Sequence, residues 1–516
     1  MHLPPLPLTL TLSLTLSLPL SLPSPEKKNM SLHQDGLLGQ KWLPADPDSK
    51  LSSLARITKN CAGYLRPSFL TRPGRSKTKT QLGRTAYLDG LRGFAAFLVY
   101  WQHHQLWAHG ALGPDKILEN AFGYDNQYYF ACLPFIRTFL TGGHFAVTVF
   151  FVISGYVLSA KPLALIQGGE YGRLGDTLAS ALFRRWMRLY IPVIVTTFLY
   201  MTSWHALGIW TDSDHQGTYG DELIKWYRDL KNFTFIFDGS GDPFFHYNGH
   251  VWSIPVEFKG SIVIYTSLLA FSRCRKNARL WCELGMIYYC MYIVDGSFFS
   301  MFLAGMLLCD LDLLAAKGEL PRFFALFEPW KELVFFNLFI ISLYLGGVPS
   351  NSADISVLRA SSGWYYLSFL KPQAVFNYKW FYLFFASVSM VASVPQVPWL
   401  KTFFEMRFNL YLGRISYAFY LIHGPVMWTL GDRLYVAVGW YRDAHLRGVP
   451  GWVNLLPLPK AGPFFGFEFS FLVPHIIILP VTLWLAEVVT KTVDKPTVRF
   501  VQWAYAKTLA PVPVKL

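Results

Sequence analysis

Tyr87-Leu-Asp-Gly-Leu-Arg92-Gly-Phe-Ala-Ala-Phe-Leu-Val-Tyr-Trp-Gln-His103 is the stretch that decides how this chain is read. It is apolar enough for a membrane helix, yet it carries an arginine and a histidine eleven residues apart. On a helix, eleven steps of about 100° return to within roughly 20° of the starting face, with the two side chains roughly 16 Å apart along the axis. A charged arginine inside a spanning segment costs on the order of 3 kcal/mol to insert, so it normally lines a polar pathway or site. Asp89 shares that face within roughly 40° but lies about 21 Å from His103, which makes it an interfacial partner or cap. His104 points about 100° away.

Around this stretch the chain is 53% apolar, 17% aromatic and only 15% charged. A soluble chain of this length would divide into domains with charged surfaces. Here the apolar residues form repeated runs long enough to cross a hydrocarbon core of about 30 Å. The fold class expected is all-α: a polytopic integral membrane protein with about ten transmembrane helices. They fall near 87–107, 143–160, 186–208, 252–271, 281–294, 297–314, 333–348, 378–394, 410–430 and 467–490. The net charge of +14 is assigned to a basic cytosolic face rather than to nucleic acid. Cys61, Cys132, Cys274, Cys282, Cys290 and Cys309 are scattered without zinc spacing, so they read as small apolar residues or free thiols and no metal is expected.

Three regions follow. Residues 1–86 form an N-terminal arm, a Leu/Ser/Thr/Pro tract and then a basic stretch with Arg72, Arg75, Lys77, Lys79 and Arg84, expected to be largely disordered. The tract has five prolines before residue 24 and no basic leader, so it is a poor signal peptide, and Met1 and Met30 stand as alternative starts. Residues 87–500 form the transmembrane domain, and 501–516 a short cytosolic tail. Arg173, Arg184 and Arg185, then Arg273, Arg275, Lys276 and Arg279, then Lys491, Lys495, Arg499 and Lys507 place three connections on the cytosolic side with the N-terminus. The acidic segment 209–250 (Asp212, Asp214, Asp221, Glu222, Asp229, Asp238, Asp242) falls outside and holds Asn232-Phe-Thr234, a glycosylation acceptor in an endomembrane or plasma membrane protein. The 431–466 loop, though basic, also falls outside. Asp238-Gly-Ser-Gly-Asp242 reads as a surface turn.

Chemistry is concentrated in a few places. His103 can act as base or acid, or be a satisfied packing histidine. Arg185 and Arg188, three apart near Trp186, project from neighbouring positions of one face and suit phosphate, although snorkelling arginines at a membrane boundary have the same pattern. His250-Val-Trp252-Ser253-Ile-Pro-Val-Glu257 puts a carboxylate into an apolar run, where it needs a partner or caps the helix. Gly413-Arg414-Ile-Ser416 through His423-Gly-Pro425 puts further polar groups inside a helix, where each can also be interhelical glue. An H-x4-D pair, a Gly-x-Ser-x-Gly elbow and a phosphate loop are all missing, which leaves soluble-type acyltransferases, serine hydrolases and ATP-driven pumps unsupported.

Taken in order, these stretches resemble the acyltransferase-3 family of membrane O-acyltransferases. The resemblance covers about residues 85–500. Tyr87 to Gly93 and His103 resemble its first helix, and Gly143 to Ser154-Gly155-Tyr156 its second. Arg185-x-x-Arg188, Trp252-Ser253-x-x-x-Glu257, Ser416-Tyr417 to His423-Gly-Pro425 and Asp494-Lys495-Pro496 follow in family order. The chain departs in having Ile-Pro after Ser253, where the family often has a leucine pair, and the flavour is that of fungal members.

The resemblance implies transfer of an acyl group from acyl-CoA, commonly acetyl-CoA, to a hydroxyl of a carbohydrate, lipid or small metabolite. The acyl-CoA is a co-substrate, with no tightly bound cofactor. On that basis His103 and Glu257 are the catalytic candidates, His103 as base or acyl relay and Glu257 orienting or balancing charge. Arg92, Arg185 and Arg188 engage the donor, while Ser154, Tyr156, Trp252, Ser253, Arg414 and His423 are candidates to line the site. A proton- or anion-coupled transporter is the alternative that intramembrane charges also suit.

Overall fold

The structure, a computed structural model, describes residues 65–67, 82–109, 130–237, 244–350, 352–460 and 468–509. Most of the N-terminal arm, both alternative starts and the 238–242 turn lie outside the described residues. The helices below belong to one compact unit that includes Thr78–Leu516. Of the second unit, Leu14–Lys77, only residues 65–67 are described.

Every regular element among the described residues is a helix. The principal ones are α1 (Ala86–Ala108), α2 (Gly143–Gln167), α3 (Tyr171–Leu207), α4 (Tyr219–Thr234), α5 (Ser253–Phe271) and α6 (Lys276–Tyr288). They continue as α7 (Ser297–Ala316), α8 (Lys331–Gly346), α9 (Tyr378–Ser393), α10 (Arg407–Val426), α11 (His475–Val489) and α12 (Lys495–Thr508). Among the described residues, helix dominates each of the stretches expected to be helical, the last as two pieces, Phe469–Leu472 and His475–Val489. Four runs are long and apolar enough to cross a membrane: α2, Gly249–Phe271, α7 and Phe469–Thr508. A fifth counts if Tyr378–Gln396 and Pro398–Phe404, bent by 101° at their break, make one span. Length and composition therefore support four or five of the ten spans expected. The rest are shorter or, like α1 with its arginine, glutamines and histidines, more polar.

Two boundaries differ from the sequence reading for one physical reason. α3 begins at Tyr171, so Arg173, Arg184 and Arg185 lie on the helix and not in a connection. The helical run after residue 467 likewise continues to Thr508, carrying Lys491, Lys495, Arg499 and Lys507. Both extensions are amphipathic: Leu174 and Leu178 in one, and Thr497 and Val501 in the other, are buried at helical spacing, while Arg173, Lys495, Arg499 and Lys507 are exposed and only Arg185 among the basic residues lies on the buried face.

Glycines set the closest crossings. A Cβ on Gly155 would lie 1.9 Å from the Phe302 carbonyl oxygen, and one on Gly305 would lie 2.0 Å from that of Val152, so α2 and α7 meet backbone to backbone. The crossing of α1 and α10 is built the same way, with Gly93 against the Gly413 nitrogen (2.3 Å) and Gly413 against the Asp89 carbonyl (2.2 Å). These contacts hold Arg92 and His103 of α1 alongside α10, one near each end of the crossing.

Candidate active site

At one end of α1, two histidines meet. The Nδ1 of His103 lies 2.8 Å from the Nε2 of His423, and the Nδ1 of His423 lies 2.6 Å from the backbone carbonyl of Tyr420. A carbonyl only accepts, so His423 Nδ1 carries the hydrogen. In a neutral ring His423 Nε2 is then the acceptor, and His103 Nδ1 must donate to it. That leaves the Nε2 of His103 with a free lone pair.

A third histidine lies over this pair. The His250 ring stacks on His103 with centroids 3.8 Å apart and planes 5° from parallel, and lies 4.7 Å from His423 and 4.8 Å from Trp428. Nitrogens of the three rings come within 4.8 Å of one another, which raises the question of a metal. An imidazole donates in its own plane, and planes stacked at 3.8 Å share no point about 2.1 Å from both nitrogens. The arrangement is a hydrogen-bonded pair of rings with a third stacked on it, not a coordination cage.

A chamber of about 580 Å³ opens onto His103 and His250. Its wall is aromatic and apolar, with Leu106, Trp107, Tyr200, Phe244, Met427 and Trp428, while Asp212 and Arg442 bring charge to it and His246 a further polar ring. The roof comes from the acidic segment before α5. It is pinned by the buried Glu222, which accepts from Tyr247 Oη (2.5 Å) and from the Gln216 amide (2.6 Å). Arg442, stacked over Trp107, reaches Asp212 at 3.4 Å and ties the roof to the chain after α10. Thr218 caps α4, the helix that carries this roof.

Deeper along the bundle the charges pair. Arg185 donates through Nε to Ser261 Oγ (2.7 Å) and through NH2 to Glu257 Oε1, with all three side chains buried. The other Glu257 oxygen is buried without a partner. Arg92 binds Asp89 at 2.8 Å and the Gly413 carbonyl at 2.9 Å. Asp494 lies in electrostatic range of Arg188 and Arg92, and Arg188 in range of Arg185. Arg92, Arg185 and Arg188 are thus one cluster, separated from His103 by roughly 16 Å of helix.

The other sequence candidates divide. Ser253 places its Oγ 3.0 Å from Tyr420 Oη, whose hydroxyl also donates to the His250 carbonyl, so it braces the turn that carries His250. Glu257 sits with Arg185 and not with His103. Trp252 is buried against Phe298, behind the chamber wall. Ser154 is buried in α2, and Tyr156 donates to Asp312 (2.7 Å), well away from the histidines. Arg414 is exposed over the Tyr411 ring. Nine residues from His423, it points about 180° away from it.

With this geometry in view, comparison with known proteins is decisive. The model of the Acyltransferase domain family, acyltransferase-3, matches residues 85–485. The chain belongs to the acyltransferase-3 family. O-acetyltransferase PaAT-1 of Phomopsis amygdali is 28% identical over 497 residues, covering 88% of this chain and 90% of that protein. Acyltransferase clz18 of Cochliobolus lunatus is 22% identical over 416 residues, covering 70% and 86%. No solved structure matches. The activity class is therefore acyl transfer, and an acetyltransferase relative is consistent with an acyl-donor co-substrate.

For this acyltransferase-3 chain the sequence reading passed over His250, Tyr420 and Trp428. His250 stood at the edge of a quoted stretch, next to an apolar run, and nothing local distinguished it. Only the packing of α1, α10 and the turn Gly249–Trp252 ahead of α5 shows that it faces His103.

Proposed function

We propose that this protein is a multi-pass membrane O-acyltransferase that moves an acetyl group from acetyl-CoA to a hydroxyl of a carbohydrate, lipid or small metabolite. One observation carries the reading: the run from the Tyr420 carbonyl through His423 to His103 assigns His103 Nε2 a lone pair beside the chamber. His103 is the base. It takes the acceptor's hydroxyl proton as the oxygen attacks the thioester carbon, then returns that proton to the departing thiolate. His423 holds the ring in the required tautomer and stabilises the imidazolium that forms.

The donor enters from the arginine end. Arg92, Arg185 and Arg188 supply positive charge for the phosphates of coenzyme A, and its long thiol arm runs between α1, α5 and α10 toward His103. Glu257 balances the charge of Arg185. Coenzyme A is a cytosolic polyanion, so the arginine end and the N-terminus face the cytosol, with the chamber and its roof on the opposite side. In this reading about ten helices span residues 87–500, the polar ones shielded by their neighbours.

The test is thiol release from acetyl-CoA by purified protein, with water, sugars, sterols and hydroxylated metabolites as acceptors. Release by the wild type, reduced roughly 10²- to 10⁴-fold in His103→Ala, is the expected result. Equal release by the two proteins, or none from the wild type with any acceptor, overturns the proposal.

A further inference from the structure

The ring stacked on His103 has no assignment, and its surroundings restrict what it can do. His250 Nδ1 is buried with no hydrogen-bond partner. It faces the backbone at Gly424, where a Cβ would come within 2.7 Å of it. The residue lines the chamber, so the edge of the ring left to face that space is Nε2. Nδ1 stays unpartnered in either tautomer, so the single proton of the neutral ring is best placed on the nitrogen that can reach a hydrogen-bonding partner in the chamber. The proton therefore belongs on Nε2, and His250 presents an N–H to the chamber. His103, one stacking distance away at 3.8 Å, presents a bare Nε2 to the same space. A proton donor and a proton acceptor thus stand side by side, each on a ring held by packing: His250 between His103 and Trp428, and its turn tied down by Asn248, which donates to the Leu421 carbonyl at 2.9 Å.

We propose that His250 is a second catalytic residue, whose Nε2–H binds the thioester carbonyl oxygen and stabilises the oxyanion that forms on it. The inference rests on the acyltransferase reading above. In the step, the acceptor oxygen forms a bond to the carbonyl carbon while its proton passes to His103 Nε2. The carbonyl π pair moves to oxygen, where it accepts from His250 Nε2–H. Collapse of this tetrahedral species re-forms the C=O bond and breaks the C–S bond, and the proton on His103 passes to sulfur to give free coenzyme A. Preorganised donors at a developing oxyanion act most strongly where water is excluded, and here Trp107, Trp428 and Met427 supply that apolar surround.

The test compares His250→Phe, which retains a flat ring for the stack but has no donor, with His250→Gln, which retains a donor. Both are assayed for acetyl-CoA thiol release and for acetyl-CoA binding by calorimetry. The expected result is a kcat lowered roughly 10²- to 10³-fold in His250→Phe, with partial recovery in His250→Gln and donor binding retained in both. If His250→Phe fails to fold, His250→Leu, of similar size to glutamine and without a donor, takes its place. Wild-type kcat in the donorless variant, or equal losses in donor and donorless variants, overturns the assignment and leaves His250 as packing. Wild-type turnover is the separating control: if it is absent, the acyltransferase reading fails first, whereas if it is present, only the role of His250 is at stake.

Discussion

Because a backbone carbonyl can only accept, the 2.6 Å contact from His423 to Tyr420 sets the protonation of both histidines without reference to their pKa values. His423→Ala removes that control and leaves His103 free to adopt either tautomer. We expect kcat to fall on the order of 100-fold, with the KM for acetyl-CoA almost unchanged because the arginines are untouched. Steady-state kinetics on the purified variant checks this, and a rise in KM with unchanged kcat would contradict it. Glu257 behaves differently. Its partner Arg185 is buried with it, and removing one member of a buried ion pair typically costs about 3–5 kcal/mol. Glu257→Ala should therefore lose folded protein before it loses chemistry, and the double variant Glu257→Met with Arg185→Met should recover stability that either single change destroys. Thermal unfolding in detergent decides, since additive losses in the double variant would mean that the pair is not coupled.

Among the elements, the crossing of α2 and α7 depends on having no side chain at two positions. Gly155→Val puts its Cβ where the Phe302 carbonyl sits, 1.9 Å away, and overpacking of this kind costs at least about 1–3 kcal/mol. A lower melting temperature and a broadened gel-filtration peak are expected. Gly285→Ala on α6, which meets nothing within 4 Å, should be neutral or stabilising. The chamber roof brings in pH. His215 packs on Trp204 with ring centroids 4.2 Å apart and bonds Thr211 Oγ1 at 2.8 Å, and burial holds its pKa below the ordinary histidine value. The nearby Glu222 opposes the shift, while His205 and Lys225 reinforce it. The folded roof thus favours neutral His215. Above about pH 6.5 folded and unfolded states bind the same number of protons at this site, and below it the unfolded segment takes up a proton that the folded one resists. Roof stability should therefore fall as the pH drops through about 6.5 toward the depressed value. Faster amide exchange over residues 208–218 at pH 5.5 than at pH 7.5, after correction for intrinsic rates, would show it, and His215→Gln should remove the difference.

For the whole molecule, the orientation has a direct readout. Asn232 is exposed near the end of α4, on the roof side of the chamber. If that side faces away from the cytosol, expression in a eukaryotic host yields a glycosidase-sensitive mass shift that Asn232→Gln abolishes. A shift absent from the wild type, with a cytosolic protease cutting within 209–237, would invert the topology. Much of this protein was legible before any coordinates. Apolar runs and helical periodicity are local properties, so the all-helical character and the shared face of Arg92 and His103 follow from neighbours within a few residues. The ordered motifs likewise pointed to the family that the comparison shows. Helix ends were less legible: the amphipathic starts and finishes around Arg173 and Arg499 looked like connections because their burial depends on a partner helix. The pairing of charges was not legible at all. Glu257 meets Arg185 and not His103, and Arg414 faces outward, because helix rotation is set by which surfaces pack. Composition, periodicity and motif order led to a helical membrane protein resembling the acyltransferase-3 family, with a histidine in its first long helix. Which surfaces meet was settled by packing: His103 meets a histidine 320 positions away and stacks beneath a third, because the close glycine crossing of α1 and α10, not sequence proximity, joins the first pair and the turn Gly249–Trp252 packs against α10.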